Sequence, residues 1–349
     1  MAVTIKDVAK LANVSPSTVS RVIANNPRIS EKTKEIVNKA LKELGYHPNM
    51  IARSLAIQST ETIGLVMPSS NGIVFQNPFF PTVLRGLSEG AHDRQFGLHM
   101  TTGKTEEEIY EGVRQMVHGG RVDGVILLYS KVDDPILTYL QDNSFPFVVI
   151  GKPFTQVEQI THVDNDNYRA SKEVTNYLIG LGHKRIAFVG GDLNQVVTIE
   201  RVLGYESALR EAGVEFNDEY LMHEDCTTEG GRQAVKELMH LAHPPTAFVV
   251  ADDLMALGVL NTLNEMNIRI PDDVSVISFN NTLLAEMSRP PLTTVEINTF
   301  DLGFQATKSL IQMLENKNEP IKRIIIPHKL IVRGTCGAAK DSNIVKTGD

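Results

Sequence analysis

The chain has 349 residues, 42% hydrophobic and 22% charged, with a net charge of −8. That composition supports large apolar cores and suits two or three domains. The two cysteines, Cys226 and Cys336, exclude a disulfide framework. No apolar run approaches the ~18 residues of a bilayer span, and Met1–Lys6 is not the start of a secretory leader, so a cytoplasmic protein without a membrane partner is expected.

The charge is segregated. Residues 1–58 carry nine Lys or Arg against four Asp or Glu, which leaves this head at +5 and, out of the −8 total, the remainder at −13. A basic head on an acidic body is the electrostatic footprint of a nucleic-acid-binding module.

The head reads as three short helices, residues 1–47. Ile5, Val8, Ala9 and Ala12 recur at helical spacing. Ser15 is placed as an N-cap and Pro16 at the first helical position of a second helix, whose buried side is Val19, Val22 and Ile23. A third helix begins at Ser30 and stops at Gly45. The second helix opens on small polar groups and carries Arg21 one turn later, which is how a helix-turn-helix offers a recognition helix to the major groove. Residues 48–60 follow as hinge and linker. Pro48 resists continuation of the third helix, and Asn49–Ala56 forms a helix too short to be stable alone.

From Thr62 the pattern changes. Apolar runs at Ile63–Met67, Val125–Leu128, Phe147–Ile150, Ile186–Val189, Ala247–Val250 and Val274–Ser278 alternate with amphipathic stretches. These stretches are Pro81–Arg94, Glu106–His118, Asp166–Leu181, Arg201–Ala212, Thr228–Leu241, Asp253–Met266 and Asp301–Asn316. Such alternation predicts doubly wound parallel sheets with both faces covered. There are too many units for one sheet, so two α/β lobes are expected, dividing near Ile160–Asp166. Residues 338–349 are polar and aperiodic and read as a flexible tail.

Six blocks, in order, resemble the lactose-repressor (LacI/GalR) family of bacterial transcription regulators. They are Thr4–Val22, Pro48–Ala56, Gly182–Phe188, Gly204-Tyr205, Asp253–Gly258 and Arg289–Thr294. Within the family, Val66–Gly72 and Phe75–Phe80 look most like regulators of maltose operons in Gram-positive bacteria. The resemblance implies a periplasmic-binding-protein-like core at 61–337. Lobe one would comprise about 61–160 and 293–322, and lobe two about 163–290 and 323–336. It implies a homodimer on a palindromic double-stranded operator, and a small sugar effector in the cleft between lobes. It leaves open a sugar phosphate as effector, a protein corepressor of the kind related catabolite-control regulators use, and a tetramer.

The resemblance also supplies site residues. Pro16 and Ser17 occupy the base-reading positions but lack a bidentate reach. Ser17, Thr18 and Ser20 reach phosphates or single acceptors, and Arg21 reaches guanine or only phosphate. Ser15 serves DNA or its own helix cap; Thr4, Asn25 and Tyr46 complete the head's candidates. In the hinge, Leu55 wedges into the minor groove, beside Asn49, Ala52 and Arg53, or packs on the body. Effector positions map onto Ser69 or Ser70, Arg201, Asp252 and Asn280; Cys226 stands where several members carry an aromatic that packs on the effector, and Lys152 would join Arg201 in clamping a sugar phosphate. Asp252 follows a strand, where open α/β sheets place ligands. Arg201 is expected at a helix start, its guanidinium forked onto vicinal hydroxyls. Asp164-Asn165-Asp166-Asn167, at the lobe crossover, donates and accepts at the ligand or forms a capping cluster for the helix that follows. Phe79 and Phe80 stack on a sugar or are plain core.

An enzyme and a secreted sugar-binding protein are the competing classes. No phosphate loop, nucleophile elbow, His-Glu-x-x-His or paired-Cys site occurs. No cofactor, metal or catalytic residue is expected.

Overall fold

The computed structural model describes residues 3–23, 26–46, 59–68, 73–101, 103–316 and 318–339. It divides into two compact units, Met1–Glu61 and Thr62–Asp349.

In the first unit α1 (Ile5–Leu11), α2 (Pro16–Ile23) and α3 (Glu31–Leu44) surround Val8, Ala9, Ala12, Val19, Val22, Val37 and Ala40. Local chemistry fixes the start of each helix and the end of α3. The Asp7 carboxylate accepts from the Thr4 amide at 2.9 Å and the Thr4 hydroxyl at 2.7 Å. Ser15 Oγ accepts from the Thr18 amide at 3.1 Å, and Ser30 Oγ from the Thr33 amide at 3.3 Å. Gly45 ends α3 in the left-handed region at φ +60°, where a side chain is strained.

The second unit holds two six-stranded sheets. Five strands run β1 (Thr62–Val66), β2 (Gly97–Thr101), β3 (Gly124–Leu127), β4 (Phe147–Ile150) and β5 (His162–Asn165). Five more are β6 (Ile186–Gly190), β7 (Leu221–His223), β8 (Ala247–Val250), β9 (Ser275–Phe279) and β10 (Thr293–Glu296). The last two are β11 (Arg323–Ile326) and β12 (Lys329–Ile331). The first sheet has the order β11-β5-β4-β3-β1-β2, all parallel; the second has the order β12-β10-β9-β8-β6-β7, parallel except for the antiparallel edge β12.

This topology corrects the expected lobe boundaries. The chain changes lobes after β5, after β10 and after β11. Strand 293–296 therefore belongs to the second sheet and 323–326 to the first, the reverse of the expected assignment. Only the helix Thr299–Glu315, between them, packs in lobe one, against Phe79–His92. The physical reason is that β10 opens on two buried threonines, Thr293 and Thr294, and β11 is a half-exposed edge strand, so neither shows the apolar run of a central strand; β5 is likewise polar, with His162, Asp164 and Asn165 buried beside Val163. The tail also starts later than expected: the Ala339 amide donates to the Leu181 carbonyl at 2.8 Å, and residues 340–349 lie outside the described residues.

Candidate functional site

On α2, Val19 and Val22 face the small core while Ser17, Ser20 and Arg21, three and four residues apart, share the exposed face. Ser15 and Pro16 are also exposed, and Thr18 is half-buried with its hydroxyl 2.9 Å from Ser15 Oγ. Thr4 is exposed with its side chain held in the α1 cap, whereas Tyr46 packs partly into the core. Asn25, Asn49, Ala52, Arg53 and Leu55, and with them all but the last two residues of the 48–60 hinge and linker, lie outside the described residues.

The carboxyl ends of both sheets meet at a cleft of about 300 Å³, the place an open α/β sheet reserves for ligands. Phe79, Lys152, Asp164, Arg201, Cys226, Asp252 and Asn280 all line it. Ser69 and Ser70 lie outside the described residues. The structure adds Asn77, Ser130 and Glu200, which the sequence reading did not select, and brings Asn165 and Asn167 of the Asp164–Asn167 segment to the cleft wall as well.

Arg201 organises the cleft and is 6% exposed. It lies in the second turn of the helix Val196–Glu211, not at its start as expected, because Val196–Ile199 supply a further turn. Gly204 lets this helix press against Asn167–Gly180; a Cβ there would run into the Tyr168 carbonyl. Arg201 Nε donates to Asn167 Oδ1 at 3.1 Å and Nη1 to the Ala251 carbonyl at 2.7 Å. The guanidinium lies 4.0 Å from the Phe279 ring centroid, a cation–π contact strengthened by desolvation. Burial pulls its pKa down to about 10, against the pull of the nearby Asp252 carboxylate.

Asp252 caps the helix Asp253–Glu265, its Oδ1 accepting from the Met255 amide at 2.8 Å. Its Oδ2 accepts from Asn77 Nδ2 of the opposite lobe, also at 2.8 Å. Burial raises this carboxyl to about 6 even though the amide bond favours its ionised form. Asp164 is pushed to about 7, by burial first and the Glu200 carboxylate second. Asp166, in contrast, caps the helix Asn167–Gly180 by accepting from the Arg169 amide. The acidic-amide cluster thus divides, Asp164 to the cleft and Asp166 to the cap. Asp253 accepts from Ser278, Thr294 and the Thr282 amide and has a structural task.

Three further links cross the mouth. Lys152 Nζ of lobe one meets Glu200 Oε1 of lobe two at 2.6 Å. The Val132 amide donates to the Asn194 carbonyl at 2.9 Å and Val196 to Ser130 at 3.1 Å. Phe79 and Phe80 form an edge-to-face pair at 5.1 Å, half-buried, so each is both packing and cleft wall. Cys226 is free, and burial raises its thiol well above the usual range, leaving it a protonated, weakly polar wall. Among the described residues no cluster of His, Cys, Asp or Glu is placed to hold a metal ion, and no helix is long and apolar enough to cross a membrane.

A helix-turn-helix head followed by a two-lobed core with an internal cleft defines the class of ligand-responsive DNA-binding regulators. Residues 4–49 match the bacterial regulatory proteins of the lacI family, and residues 175–336 match the periplasmic binding protein-like domain. The HTH-type transcriptional regulator MalR of Streptococcus pneumoniae is 41% identical over 338 residues, covering 95% of this chain and 99% of the relative. A complex of the transcriptional regulator CelR with cellobiose is similar in structure, with TM-score 0.76 and 34% identity over 95% of this chain and 99% of that one. The lac repressor dimer bound to operator and the anti-inducer ONPF has TM-score 0.84 and 26% identity, covering 97% of this chain and 100% of that one. The chain belongs to the LacI family of bacterial transcription regulators. It is a DNA-binding regulator and not an enzyme.

Proposed function

We propose that the protein is a homodimeric repressor of a carbohydrate-utilisation operon, acting in the cytoplasm on a palindromic operator and released by a neutral sugar of the maltose class. Arg21, Ser17 and Ser20 meet the operator, and Arg201, Asp252, Asp164 and Asn280 meet the sugar.

The charge state of the cleft carries the sugar assignment. Among the described residues its two cations are already engaged, Lys152 by Glu200 and Arg201 by Asn167, the Ala251 carbonyl and Phe279. Three carboxyls, Asp164, Glu200 and Asp252, share the same space. An anionic group brought there meets no surplus positive charge, which disfavours a sugar phosphate. Neutral hydroxyls suit it, because the raised carboxyls accept when ionised and donate when protonated, and the aromatic pair offers a sugar its apolar face. Maltose as the class rests on the likeness of Val66–Phe80 to maltose-operon regulators together with the identity to MalR, and the CelR–cellobiose complex supports a disaccharide.

Calorimetric titration of maltose, maltotriose and a phosphorylated disaccharide into the full chain tests this. Heat with the neutral sugars and none with the phosphate is expected. Binding of the phosphate alone would refute the assignment.

A further inference from the structure

The three lobe crossovers converge on one side chain. Asn165 is the last residue of β5, at the first crossover, and is buried. Its Nδ2 donates to the Ile297 carbonyl, in the second crossover, at 2.9 Å and to the Ile326 carbonyl, at the third, also at 2.9 Å. Both amide hydrogens of one residue therefore tie the other two crossing segments to the first. Asn298 Nδ2 adds a bond from the second crossover to the Pro327 carbonyl of the third at 2.8 Å. His328 Nε2, following it, meets Glu173 of lobe two at 3.0 Å.

This knot is linked to the cleft. Arg201 donates to Asn167 Oδ1, and Asn167 Nδ2 donates to Asp164 Oδ1 at 3.1 Å and to the Asn165 carbonyl at 3.3 Å. A ligand that pulls on Arg201 or Asp164 thus acts on the crossovers through one intervening side chain. Three untied strands can twist separately when the lobes rotate. Three strands held by a single amide turn together about one axis.

We propose that Asn165 is the positioning residue that makes the three crossovers one hinge and so transmits sugar binding to the DNA-reading end; the transmission rests on the sugar reading above. Asn165→Asp keeps the side-chain shape but turns both donated bonds into oxygen-against-oxygen contacts. Coupling energies between linked sites are commonly 5–150-fold in affinity, so the quantity to follow is the ratio of maltose Kd with and without operator DNA.

The experiment has two arms, on the full-length wild type, Asn165→Asp and Asn298→Ala. In the first, amide hydrogen exchange is measured without sugar or DNA. Asn165→Asp is expected to speed exchange in 163–167, 295–298 and 325–329 together; acceleration confined to β5 would overturn the hinge claim. In the second, the Kd ratio is expected to be at least about tenfold in the wild type and to fall towards one in Asn165→Asp, whatever the change in Kd for the DNA-free protein, since Asn165 also borders the cleft. A folded Asn165→Asp variant with the wild-type ratio would overturn the transmission. Should Asn165→Asp fail to fold, Asn298→Ala decides: a reduced ratio supports the hinge and an unchanged one sinks it. A wild type that binds no maltose would defeat the sugar reading, and the exchange arm would still judge the hinge.

Discussion

Replacing Arg201 with alanine is the perturbation with the largest expected consequence in the core. It removes two hydrogen bonds from a buried cation, to Asn167 and the Ala251 carbonyl, and the guanidinium over Phe279. Hydrogen bonds from charged groups contribute about 1.5–3 kcal/mol each, and the cation–π contact about 1–2 kcal/mol. Water entering the open cleft recovers part of this, so a net loss of about 3–5 kcal/mol at pH 8 is expected, within the range for removing one partner of a buried charge pair. At about 2 °C per kcal/mol for a large domain, the core melts roughly 6–10 °C lower. The loss carries a pH signature. Asp164 at about 7 and Asp252 at about 6 already stand above their unfolded values, and without the cation both rise further. A carboxyl raised on folding makes the folded state bind the extra proton, so its cost is present above the folded pKa and is relieved as pH falls towards about 4. The variant's deficit should therefore shrink between pH 8 and pH 5.5. Arg201→Lys keeps the charge but not the fork, and is expected to melt between the two and to lose sugar binding with alanine. Calorimetric melting of all three proteins at both pH values checks this. Arg201→Ala melting with the wild type, or a deficit that grows on acidification, would refute the reasoning.

Three other outcomes follow from the same geometry. Asp164→Asn keeps the acceptor for Asn167 Nδ2 and removes the carboxyl raised to about 7, so it should gain stability relative to the wild type at pH 8 and lose that advantage by pH 5.5, read by melting. Arg21→Ala, on the exposed face of α2, should cost about 1–3 kcal/mol of operator binding and relax preference at one base position, measured by fluorescence anisotropy over a set of operator variants, with core melting unchanged. Gly204→Ala drives a methyl group into the Tyr168 carbonyl and should cost about 1–3 kcal/mol and weaken sugar binding by shifting Arg201; melting and titration check both.

The head was legible because its signals are local. Ser15, Ser30 and Gly45 mark helix ends through bonds to residues three or four positions away. The central strands were legible because, covered on both faces, they are unbroken apolar runs such as Ala247–Val250. Edge strands were not. In β2, Leu98 and Met100 are each more than a third exposed, and β11 is half in solvent, so neither shows a buried pattern. The first crossover falls within the division expected at Ile160–Asp166; what stayed hidden was which sheet β10 and β11 join, because the short local patterns of Thr293–Glu296 and Arg323–Ile326 do not name their neighbours. In the cleft, Arg201, Asp252 and Asn280 came from resemblance to a family. Asn77 did not, because its meaning lies in one bond to Asp252 across 175 positions. Asn165 lies in a segment the sequence singled out, but its tie to the Ile297 carbonyl spans 132 positions. Glu200 left a faint signal, one residue before Arg201 on a helix, but its pairing with Lys152 is visible only in three dimensions.

A neutral sugar in the cleft is expected to lower the protein's affinity for its operator. It is tested most directly by titrating maltose into a preformed complex of the full chain with fluorescently labelled operator and following anisotropy, with Arg201→Ala as the control. Because a ligand shifts an equilibrium only by its differential affinity for the two states, the account requires a saturable fall in anisotropy with maltose that is absent in Arg201→Ala. Anisotropy unchanged at maltose concentrations that saturate the cleft by calorimetry would contradict it.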